Sequence, residues 1–134
     1  MHDHPHVVLC ENNAALASLL GEFLSSEGFR LTTCTTLAEI ETAVARDPAS
    51  VVVTDSWLGG PPARPGIDTE GLRRLAVRTT VVLTTGWTGA SHLGSLQVLG
   101  VGDAVRLVRK PYDLDELLET IRSAVAARRL RADE

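Results

Sequence analysis

The run Val51-Val52-Val53-Thr54-Asp55 ends on a carboxylate. Three β-branched apolar residues in succession predict a strand buried on both faces, and the glycines and prolines from Gly59 to Gly66 end it abruptly. Asp55 therefore falls at the carboxyl end of a buried strand. In open parallel α/β sheets the loops leaving those ends form the crevice in which ligands bind. Alone, Asp55 reads equally well as a turn cap, a common fate of aspartate after a strand. Its company weighs against that: Glu11 and Asn12, Thr85 and Lys110 each stand just past another strand-like run. These groups suit the chemistry of charged oxygens. A carboxylate can attack as a nucleophile or bind a hard cation, and an ammonium group neutralises anions.

Four such positions can meet only if four strand ends lie side by side, and the chain carries the elements for that. His6 to Cys10 is a short apolar strand running into the polar Glu11-Asn12-Asn13. Leu16, Leu19, Leu20, Phe23 and Leu24 follow at helical spacing, closed by Gly28. Phe29 to Cys34 predicts a second strand. Thr36, with Glu39 in capping-box position, opens a helix carrying Leu37, Ile40 and Val44, and Pro48 lies beyond its end. The third strand is Val51 to Thr54, with a helix around Asp68 to Val77 after the long loop. Thr80 to Thr84 is the fourth strand, delivering Thr85-Gly86-Trp87, and a weak helical pattern covers roughly Ser91 to Leu99. Asp103 to Val108 makes the fifth strand, and Arg109-Lys110-Pro111-Tyr112 leaves it. Asp113 and Glu116 form a capping box for the last helix, whose apolar face is Leu114, Leu117, Leu118, Ile121 and Val125. Five strands alternating with five helices predict an α/β fold, a parallel sheet with helices on both faces.

A chain of 134 residues, 44% hydrophobic and 22% charged, suffices for one domain with its own core and is neither disordered nor membrane-spanning. We take residues 1–134 as that single domain, with the core at about 6–127. The start, Met1-His2-Asp3-His4-Pro5-His6, has no secretion-signal pattern, so a cytoplasmic location is expected. Its three histidines read as a solvated terminus rather than a metal clamp. Cys10 and Cys34 sit in apolar strands without CxxC spacing and read as buried reduced thiols. A net charge of −4 argues against a nucleic-acid surface. The one basic cluster, Arg128-Arg129-Leu130-Arg131, complements a helix dipole.

The constellation resembles the receiver domain of two-component response regulators, the family that includes the chemotaxis response regulator. The resemblance covers nearly the whole chain, and its most specific pieces are Lys110-Pro111-Tyr112-Asp113-Leu114-Asp115-Glu116-Leu117 and Val81-Val82-Leu83-Thr84-Thr85-Gly86. It implies a doubly wound five-stranded sheet of flavodoxin-like order 2-1-3-4-5. It also implies that Asp55 is the phosphoacceptor for a histidine kinase or phosphotransferase. Mg²⁺ is then held by Glu11, Asn12, Asp55 and the backbone carbonyl of Trp57, while Lys110 and Thr85 stabilise the phosphoryl oxygens. The Lys110-Pro111 peptide is expected to be cis, aiming Lys110 at Asp55. The implied role is signalling, not catalysis, through a downstream effector or fused output domain. A symmetric homodimer involving Asp103, Arg106, Arg122 and apolar positions of the last helix is compatible with the sequence, as is a solvated helix face.

The chain also departs from the family pattern. Asn12 replaces one member of the usual acidic pair, Leu107 stands where a switching aromatic is common, and the loop from Gly59 to Gly66 is long and proline-stiffened. Asn12 and Leu107 support an alternative: a degenerate receiver acting as a phosphorylation-independent interaction or dimerisation module. A flavin-binding protein of related topology would need a glycine-bearing phosphate loop after the first strand, where Glu11-Asn12-Asn13 is acidic.

Overall fold

The computed structural model of the chain describes residues 4–11, 13–48, 51–55, 69–85, 105–109 and 113–132. Within them the elements run β1 (His6–Cys10), α1 (Ala14–Ser26), β2 (Arg30–Cys34), α2 (Leu37–Arg46), β3 (Val51–Asp55), α3 (Thr69–Arg78), β4 (Thr80–Thr85), β5 (Val105–Arg109) and α4 (Leu114–Ala132). The expected helix over 91–99 lies outside the described residues. All strand pairs are parallel, and the sheet order is β2-β1-β3-β4-β5. The doubly wound order predicted above is therefore the observed one.

Handedness explains where the helices go. Right-handed crossovers place a helix on one face when the chain steps one way across the sheet, and on the other face when it steps back. The step from β1 to β2 runs opposite to those from β2 to β3 and β3 to β4, so α1 lies across the sheet from α2 and α3. The strands answer with alternation of period two. Val7 and Leu9 of β1 join a cluster with Leu20 and Leu24 of α1 and Leu117 and Ile121 of α4. Val8 and Cys10 join the opposite cluster, with Ile40 and Val44 of α2 and Leu75 of α3. Since both faces are covered, β1 is buried at all five positions, whereas the edge strand β2 is mostly open.

Helix ends follow local chemistry. Asn13 caps α1, its Oδ1 accepting from the Leu16 amide at 3.0 Å. After α1 the chain turns at Gly28, whose φ of +95° is costly for any residue with a Cβ. Thr36 caps α2, accepting from the Glu39 amide at 3.1 Å. The Glu39 carboxylate reaches back to the amide and hydroxyl of Thr35, at 2.6 and 3.0 Å. On α4 the expected Leu117, Leu118, Ile121 and Val125 are buried, Ala124 joins them, and Leu114 is partly buried against the same cluster. Arg106 donates to Ser123 Oγ at 2.7 Å and Arg122 to Glu27 Oε1 at 2.9 Å, so both arginines named for a dimer hold bonds within the chain. Among the described residues no helix is long and apolar enough to cross a membrane.

One expectation is overturned. His6 is no part of a solvated terminus: it is 3% exposed, with Nε2 2.7 Å from Thr32 Oγ1. Its Nδ1 is 3.1 Å from the Asp47 carbonyl, which makes Nδ1 the donor. His4 Nδ1 also meets the Gly28 carbonyl, at 2.9 Å. The start of β1 is thus tied to β2 and to the end of α2.

Candidate functional site

Sheet order decides where a site can form. The chain reverses its direction across the sheet between β1 and β3, and beyond the carboxyl ends of those two strands opens the crevice where doubly wound folds bind ligands. Register then fixes which residues reach it. Cys10, the last residue of β1, is the Cα partner of Thr54. Glu11 and Asp55 are the next residues on these neighbouring strands, so both stand at the crevice. Asp55 is itself the last residue of β3 and pairs with Thr84 of β4, while Thr85 closes β4 opposite Arg109 of β5.

Glu11 is held in place. Its side chain is within a residue only 8% exposed, and Oε2 accepts from the Asn13 amide at 2.9 Å, at the very start of α1. Burying a carboxylate is costly unless hydrogen bonds or a cation compensate it, so such a group at a crevice is the type of oxygen donor a hard cation selects. Asn13 serves both as helix cap and as the amide that anchors Glu11. In the sequence it belongs to the polar Glu11-Asn12-Asn13 stretch, although an asparagine three residues before the helical Leu16 is a recognisable cap signal.

Asp55 and Thr85 are therefore placed by their backbones, on adjacent strands at the same end of the sheet as Glu11. Asn12, Trp57, Lys110 and Pro111 lie outside the described residues, the cis peptide with them. Lys110 follows Arg109, the partner of Thr85, in the sequence. Among the described residues no three His, Cys, Asp or Glu side chains gather as a metal cluster. The donors fit Mg²⁺ by their chemistry, since that ion takes oxygen ligands, keeps several waters and needs only one or two carboxylates. Glu11 and Asp55 are two such groups on adjoining strand ends.

No protein-family model matches the sequence, and no curated protein matches it either. Solved structures do. The signal receiver domain of an HD domain-containing protein from Pseudomonas fluorescens Pf-5 superposes with a TM-score of 0.80 at 19% identity, over 100% of this chain and 96% of that one. A CheY-like response regulator receiver domain protein from Methanospirillum hungatei JF-1 gives a TM-score of 0.77 at 17% identity, covering 96% of this chain and 99% of that one. NtrX from Brucella abortus gives 0.74 at 17% identity, with 98% of this chain matched to 29% of that one. This chain has the fold of the response-regulator receiver domain.

Proposed function

We propose that the chain is a phosphoacceptor receiver domain, taking a phosphoryl group from a phosphohistidine of a histidine kinase or phosphotransferase onto Asp55. The observation that carries this reading is Asp55 closing the central strand of a receiver fold at the switch-point crevice, with the buried Glu11 on the adjoining strand end. A carboxylate oxygen of Asp55 attacks phosphorus, the P–N bond to the donor imidazole breaks, and that nitrogen is left to take up a proton. Such transfer is mostly positioning and charge compensation, because the transferred group is anionic and so is its acceptor. Glu11, Asn12, Asp55 and the Trp57 carbonyl would hold Mg²⁺, which when bound supplies positive charge beside the phosphoryl oxygens. Lys110 provides a further positive charge on those oxygens, and the Thr85 hydroxyl donates a hydrogen bond to one of them once the acyl phosphate exists. The signal then passes to a downstream effector or an attached output domain.

The test is intact mass after incubation with a small acyl-phosphate donor and Mg²⁺. A gain of one phosphoryl group that disappears in Asp55→Asn supports the reading. A gain that persists in that variant removes Asp55 from the role. No gain in the wild-type chain favours the interaction module that Asn12 and Leu107 suggest.

A further inference from the structure

Cys10 and Cys34 are far apart in sequence but end neighbouring strands, and they are Cα partners on the last rung of the β1–β2 ladder. Parallel neighbours stand about 4.8 Å apart, within the roughly 4.4–6.8 Å between Cα atoms that disulfides span. Directly opposed residues of paired strands project to the same face, and both cysteines pack in one buried cluster with Ile40, Val44 and Val52. They are 2% and 6% exposed, and neither is in a disulfide. We propose that Cys10 and Cys34 form a redox site, a cross-strand dithiol that hydrogen peroxide converts into an intrachain disulfide.

Access sets the order of events. Cys34 lies on the edge strand and lines an open groove of about 370 Å³ against α2, with Thr32, Glu39 and Arg46 among its walls. Cys10 lies on an interior strand, flanked on its other side by Thr54 of β3. Cys34 is therefore the thiol a small peroxide meets, and Cys10 resolves the product. The Cys34 sulfur attacks one peroxide oxygen and the O–O bond breaks. Cys34 becomes a sulfenic acid, and the second oxygen leaves as water with the proton of the Cys34 thiol. The Cys10 sulfur then attacks Cys34 Sγ, the S–O bond breaks, and the hydroxyl departs as a second water with the Cys10 proton. Two thiols and one peroxide give one disulfide and two waters.

Two features set the pace. A disulfide holds its Cβ atoms near 3.8 Å, so the two side chains must draw together for the bond to close. The pair sits on the final rung with one member on an edge strand, so any adjustment is confined to the end of β2. Burial, and then the nearby Glu39 carboxylate, also push the Cys34 thiol above its ordinary value of 9.0. Little thiolate exists at neutral pH, and the oxidation is slow and base-accelerated.

The reduced full chain, treated with hydrogen peroxide and then alkylated, is examined by intact mass and non-reducing peptide mapping. The expected result is loss of two hydrogen atoms, a linked Cys10–Cys34 peptide, reversal by a dithiol reductant, and a rate that rises with pH. Cys10→Ser is expected to stop at a sulfenic acid on Cys34, trapped by dimedone. Oxygen addition without linkage, or linkage only between two chains, would overturn the proposal. The wild-type mass decides the matter even if a variant folds poorly.

Discussion

At position 12 an amide stands where the resemblance leads one to expect a second carboxylate beside Glu11. In the proposed site, Glu11 and Asp55 when ionised contribute −2, Lys110 would offset part of it, and an aspartate at position 12 would raise it to −3. Ligand charge weighs heavily for a cation as strongly hydrated as Mg²⁺. Unit charges 4 Å apart at an effective dielectric of about 20 interact by roughly 4 kcal/mol before desolvation reduces the net. We therefore expect Asn12→Asp to tighten Mg²⁺ at least about tenfold, or ~1.4 kcal/mol. Fluorescence titration of Trp57 reads this, with Trp87 replaced to remove its background. Equal affinities would show that Asn12 does not limit the site. At this scale residue types were legible and partners were not. The strand-end positions of Asp55 and Glu11 are legible from the apolar runs before them, as is His6 at the start of β1, but the burial of His6 is not, because its partners, Thr32 and Asp47, lie 26 and 41 residues away. The register that pairs Cys10 with Cys34 was hidden for the same reason.

Among the elements, α2 tests how far local chemistry stabilises the fold. It is a ten-residue helix, too short to persist alone, that buries Ile40 and Val44 and relies on Thr36 for its cap. Thr36→Ala is expected to cost about 1 kcal/mol, within the usual 0.5–2 for such caps, read as a lower urea midpoint with the slope unchanged. The same helix confers pH dependence. Bonds from the Thr35 amide, then the Thr35 hydroxyl, hold the Glu39 carboxyl below its ordinary 4.5. At the other end of the helix, the Arg30 side chain, at 2.6 Å, holds Asp47 below 3.8. Carboxylates depressed in the folded state contribute stability that is full above their unfolded values and lost as pH falls through the folded ones. Stability is thus expected to decline below about pH 5, and Glu39→Gln to flatten that decline. An unchanged pH profile in this variant would place the acid sensitivity elsewhere. Strand existence was legible from the valine runs, but strand ends were not. The expected strands stopped at Thr54 and Thr84, whereas the ladder continues one residue further in each, through Asp55 opposite Thr84 and Thr85 opposite Arg109. Backbone pairing sets such ends, and side-chain patterns report it poorly.

For the whole molecule, the sheet divides one core into two halves that share its strands. Ile40 lies fully buried among the residues facing α2 and α3, and Ile121 fully buried among those facing α1 and α4. Each truncation to alanine should cost about 2–5 kcal/mol, from lost transfer energy plus the cavity left behind. The two sites belong to separate clusters on opposite faces of the sheet, so the losses should add to within roughly 0.5 kcal/mol. A single domain of this kind holds about 5–15 kcal/mol in all, so the double variant should be marginal or unfolded at room temperature while each single variant remains folded. Because Val51, Val52 and Val53 contribute alternately to both halves, neither half has a strand of its own on which to survive alone. Urea unfolding of each single variant should therefore remain one transition, with a lower midpoint and the wild-type slope, by both circular dichroism and tryptophan fluorescence. Separation of the two signals into distinct midpoints in either variant would show that the faces unfold independently, and that the sheet does not bind them into one cooperative unit.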